Sequence, residues 1–113
     1  MPRLRVGALP GEPLAAAARF HAEDMPRALA ALAQGGDLVL VFAPADHTHR
    51  DWRLAAVRGL ARAHAPARVN AVAGDDEAAL AAACAYLERA PGVTGQLLPT
   101  DGTGAGPMLY RNG

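Results

Sequence analysis

Residues 35–42 read GGDLVLVF, a glycine pair and an aspartate followed by five apolar residues without a polar interruption. A strand with one wet face alternates apolar and polar side chains; an unbroken apolar run of this length fits a strand covered on both faces, as in the middle of a parallel sheet. The glycine pair ends whatever helix precedes it.

Downstream, Pro44 to His49 reads as a loop and Asp51 to His64 as a helix that stops before Pro66. Arg68 to Ala73 (RVNAVA) is a further strand, Asp76 to Ala90 a helix capped by Asp75 or Asp76, and Gln96 to Thr100 a last strand after the Pro91-Gly92 turn. Upstream, Glu12 to Gln34 carries Ala and Leu at helical spacing, but Pro26 removes a backbone donor inside it. Two helical pieces follow, with Asp24 as N-cap of the second. Arg3 to Leu9 is the first strand, closed by Pro10-Gly11. Strands alternating with helices across short loops predict an α/β domain over 1–102. It has a four-stranded parallel sheet flanked by three to four helices and joined by right-handed crossovers, and 103–113 forms an irregular tail.

A chain of 113 residues holds one core of modest size. Eleven basic residues balance eleven acidic ones, and no like-charge run exceeds Asp75-Asp76-Glu77, so neither nucleic acid nor a membrane surface is expected as a partner. The single Cys84 cannot form an internal disulfide, MPRLRVGALPGEP lacks a secretory apolar stretch, and no apolar run approaches a membrane span. A cytoplasmic protein is the expectation. The chain contains no lysine, no serine and no isoleucine, which removes serine nucleophiles and lysine Schiff bases from its possible chemistry.

The segments AAVRGLARAHAPARVNAVAG (55–74) and APGVTGQLLPTDG (90–102) resemble the C-terminal half of the short-chain dehydrogenase/reductase family. There a helix of the form KAAVxGLxRxLA leads into a strand IRVNAVAPG, and the chain closes with TGQxLxVDGG. Residues 35–41 are similar to the family's GGSIVNIS strand, so the likeness runs from about 25 to 102. It implies a three-layer, Rossmann-like half domain. The family's dinucleotide-binding half has no counterpart in these residues, so no cofactor is expected; Gly102-x-Gly104-x-Gly106 follows the last strand and opens no helix, unlike a phosphate-binding turn.

The resemblance also places the family's catalytic Ser near Ala43, its Tyr at Arg50 and its Lys at Leu54, and none of these side chains performs that acid-base chemistry. Ala73-Gly74-Asp75 enters the next helix where the family has Pro-Gly and a substrate-covering loop. The expectation is a truncated, non-catalytic relative, a pseudoenzyme. In the family the two helices beside the central strand pair with those of a second subunit. Carried over, this predicts a homodimer through 13–34 and 51–64, with Phe20, Met25, Leu29, Leu32, Trp52, Ala56 and Leu60 at the contact, or a mixed dimer with a full-length dehydrogenase.

Other residues are weighed on their own chemistry. Asp46, His47 and His49 are candidate metal ligands and the centre of a competing reading as a small-molecule- or metal-dependent enzyme, with Arg50 as a further member. The plainer expectation is that Asp46 or Thr48 caps the next helix and that both histidines are solvated. His21 with Glu23 and Asp24 reads as a polar helix face. Cys84 reads as a small buried hydrophobe. Arg50, Arg53, Arg58 and Arg62 form either an anion site or a solvated rim. Trp52 is either a partner's anchor or the filling of a vacated pocket.

Overall fold

The computed structural model describes residues 1–100; the expected tail over 103–113 and its glycines lie outside them. The described chain is the three-layer, Rossmann-like half domain that the resemblance implies. Its elements are β1 (Arg3–Arg5), α1 (Pro13–Arg19), α2 (Met25–Ala33), β2 (Leu38–Phe42), α3 (Arg50–His64), β3 (Val69–Ala73), α4 (Glu77–Glu88) and β4 (Leu97–Pro99). All strand pairs are parallel, in the order β1-β2-β3-β4. The first and last strands are shorter than expected, three residues each.

Every residue of β2 and of β3 is buried, as the unbroken apolar run requires. Period-two geometry then divides β2 between two cores. Leu38, Leu40 and Phe42 face Phe20, Ala28, Leu32, Val57 and Leu60 of the α1–α2 and α3 layer. Val39 and Val41 face Leu80, Ala83, Cys84 and Leu87 of α4. The lone thiol is therefore a buried filler of the second core, and burial pushes its pKa up.

This division corrects the expected handedness. The strands advance across the sheet in one direction, while α2 and α3 lie on one face and α4 on the other. Two crossovers that advance alike on opposite faces have opposite hands, so not all three are right-handed. The return from α4 to β4 is anchored by polar bonds: buried Asn70 donates from Nδ2 to Val93 O and accepts from Gln96 N, both at 3.0 Å. Arg68 donates from Nη1 to Leu87 O and Ala90 O at the end of α4, at 2.9 and 2.8 Å.

The expected break before Pro26 takes another form. Residues 20–24 make a π-helical turn that joins α1 to α2, so the three segments run on as one continuous helix. The wider turn absorbs the donor that Pro26 lacks. With no free helix start there, Asp24 is not an N-cap: its side chain makes no capping bond. Its buried carboxylate instead accepts from Gly7 N at 3.2 Å and from Arg27 Nη1 at 2.7 Å, which ties the helix to the chain leaving β1. Asp76 and the Gly35-Gly36 pair act as the local signals suggest, and Glu12 adds a cap not expected from sequence. Glu12 and Asp76 cap α1 and α4, and both glycines take positive φ after α2.

Candidate functional site

Parallel strands all end on one side, and there the loops after β1 and β2 and the ends of β3 and β4 meet the start of α3. Open α/β sheets bind ligands at this edge. Two adjoining cavities of about 270 and 240 Å³ lie here, sharing Pro44, Ala45, Asp46, His49 and Arg53 as walls. The first extends over Ala73, Leu97 and Pro99, and the second runs towards Gly7 and Gly11.

Asp46 caps the 3-10 turn His47–His49 that leads into α3, accepting from Thr48 N at 2.9 Å and from Thr48 Oγ1. Those bonds hold its carboxyl below the ordinary aspartate pKa. His47 is exposed. His49 is not the solvated loop residue expected from sequence: it is buried, with Nε2 2.9 Å from Gly11 O and Nδ1 accepting from Trp52 Nε1 at 3.0 Å. An indole N–H can only donate, so the ring holds its proton on Nε2, and both nitrogens are engaged. Among the described residues no group of three or more His, Cys, Asp or Glu is arranged to hold a metal ion. Both His49 nitrogens and Asp46 Oδ1 are engaged in bonds within the fold.

Trp52 is half-buried and fills space between rings. Its centroid lies 5.5 Å from Phe20 and 5.8 Å from Phe42, the latter edge to face. Against this cluster lies Arg53, only 7 % exposed, with its guanidinium 4.5 Å from the Phe42 centroid and 5.8 Å from that of Trp52. Nη1 donates to Ala43 O at 3.0 Å, while Nε is buried without a partner. Burial alone lowers its pKa from the ordinary arginine value. Arg50, Arg58 and Arg62, the other arginines of α3, are by contrast exposed. A signal was available: Arg53 occupies the apolar stripe of α3 with Ala56, Val57 and Leu60, and a cation on such a stripe is either paired or functional.

Ala43 is exposed just after β2, Arg50 exposed at the first position of α3, and Leu54 half-buried one turn later. Of the residues expected at a helix contact, Phe20, Leu32, Ala56 and Leu60 are turned into the core, Met25 and Trp52 are partly buried, and Leu29 is 44 % exposed. Leu14 on α1, unremarked in the sequence, is 79 % exposed. His21 and Glu23 are exposed, and His21 Nδ1 lies 2.8 Å from Ala17 O of its own helix. No described helix is long and apolar enough to cross a membrane.

A protein-family model described as "SDR-like: Short chain dehydrogenase-like protein" matches residues 4–100, nearly the whole described chain. Neither a curated protein nor a solved structure matches it.

Proposed function

The chain belongs to the short chain dehydrogenase-like family, and from that membership we propose that it is a non-catalytic member that works by binding, as a dimerisation and protein-interaction module. The observation that carries this reading is the trio Ala43, Arg50 and Leu54 at the positions that the family likeness gives to serine, tyrosine and lysine. A methyl group, a guanidinium and an isobutyl group supply neither a hydroxyl to hold a carbonyl nor an acidified phenol to protonate it. The Arg53 guanidinium and the Trp52 indole fill space beside these positions.

Leu14 and Leu29 support the choice of contact surface. They are two large apolar side chains left exposed on α1 and α2 while their neighbours turn inward. Small residues on the outward side of α3, Ala55 and Gly59, allow close approach of another helix. A two-fold contact through these helices pairs two copies of the chain, and the same surface suits a full-length dehydrogenase of the family. Light scattering of the purified chain across a concentration series, with co-purification from the native host, tests this. A dimer, or a stoichiometric complex with a dehydrogenase, is expected; a monomer at all concentrations that captures neither sinks the proposal. Titration with nicotinamide dinucleotides is expected to show no saturable binding.

A further inference from the structure

Arg53 is a buried cation whose charge nothing in the described chain answers. The described ion pairs involve Arg5, Arg19, Arg27, Arg50, Arg68 and the N-terminus; Arg53 is in none of them. Removing a guanidinium from water is costly unless an anion or a full set of acceptors replaces the solvent. The Phe42 ring and one carbonyl oxygen replace it in part, and Nε stays without a partner. The two cavities described above both have Arg53 in their walls.

We propose that this edge of the sheet binds a small organic monocarboxylate, with the carboxylate against Arg53 and an apolar body over Ala73, Leu97 and Pro99. A planar carboxylate accepts two parallel bonds from a guanidinium and supplies the missing counter-charge. The carbon-rich wall offered by those three residues suits a ligand with one charged end. Arg50 stands at the same cavity and adds a second positive charge at its mouth, while the Asp46 carboxylate in the wall is turned into the Thr48 cap.

A phosphate dianion fits less well. It would bring twice the charge of a carboxylate beside the Asp46 carboxylate, and the 3-10 turn that leads into α3 is already capped by that residue rather than open as an anion cradle. The site is independent of how the chain assembles, since Arg53 lies on the buried side of α3 and not on its outer surface.

The test is titration of the intact chain with hexanoate, with hexanamide as its neutral isostere, and with inorganic phosphate. Fluorescence of Trp52, the single tryptophan, and the Arg53 Nε–H resonance are the readouts. Saturable binding of hexanoate with a shift of that resonance, weaker binding of phosphate and none of hexanamide are expected. Arg53→Met is expected to weaken hexanoate binding about ten- to a hundred-fold. If that variant does not fold, the Arg53 resonance and the amide comparison in the native chain decide by themselves. An equal response to hexanoate and hexanamide, tighter binding of phosphate than of hexanoate, hexanoate binding unchanged in a folded Arg53→Met, or no saturable response to hexanoate overturns the proposal.

Discussion

The Trp52 indole donates to His49 Nδ1 at 3.0 Å, and His49 Nε2 donates in turn to Gly11 O at 2.9 Å. This relay links the first turn of α3 to the loop after β1, across 38 positions of sequence. It turns a histidine that reads as a metal ligand into a strut. His49→Ala should lower stability by about 2 kcal/mol, because the variant loses both bonds and leaves the half-buried indole donor unpaired. Urea denaturation followed by Trp52 fluorescence measures it; a loss below about 0.5 kcal/mol would show the relay to be incidental.

At the opposite edge of the sheet, Asp37 accepts from Arg68 N at 2.7 Å and from Arg68 Nε at 3.1 Å. One carboxylate thus fixes the start of β3 against the start of β2, and the same arginine closes the end of α4. Asp37→Ala should cost about 2 kcal/mol, and Asp37→Asn about half of that, since an amide oxygen can still accept the backbone bond. A double-mutant cycle with Arg68→Met isolates the side-chain part; additive losses would mean that the pair is not coupled.

Arg53→Met should leave stability unchanged or raise it by about 1 kcal/mol. A buried cation without a counter-ion among the described residues is replaced by an apolar chain of similar length, and the Phe42 ring keeps a neighbour. Arg53→Ala should instead destabilise, by opening a void beside Phe42. Thermal melts of the two variants separate the charge from the volume: equal losses in both would show that the guanidinium itself stabilises the fold.

Cys84 should resist alkylation in the native chain and react fully in denaturant. Burial raises its pKa, so at a given pH the folded state holds less thiolate than the unfolded state, and only the thiolate is the nucleophile. The rate should therefore follow global opening as denaturant is added. Rapid native labelling at neutral pH would mean that α4 opens locally, well below the cost of global unfolding.

Leu29→Glu should change the stability of the monomer by no more than about 0.5 kcal/mol, because the side chain is 44 % exposed. On the proposed contact it would place a charge at an apolar interface and shift the assembly to monomers, as read by light scattering. Leu14→Glu should act the same way. An undiminished dimer in both variants would move the contact elsewhere.

The strands, the helices and their parallel alternation were legible because DLVLVF and RVNAVA are short apolar runs bounded by turn residues, and because the caps at Asp46 and Asp76 are local signals. Pro26 was legible as a disturbance but not as a π-helical turn, since several backbone adjustments accommodate a missing donor and the packing of Phe20 and Asp24 selects among them. The site was less legible. Asp46, His47 and His49 drew attention by residue type, while Arg53, one of eleven basic residues, became distinctive only through its surroundings.

The sequence by itself determined the element types, the family likeness and the side chains at the three positions where that family does its chemistry. Only the tertiary structure decided the face on which α4 packs, the partners of Asp24 and His49, and the burial of the Arg53 guanidinium against Phe42. The division is physical. Hydrophobic period and capping act within a few residues and are written along the chain. A hydrogen-bond partner, a counter-ion or a covering layer comes from segments tens of residues away, and that Arg53 is buried without a counter-ion among the described residues is decided only once the chain has closed around it.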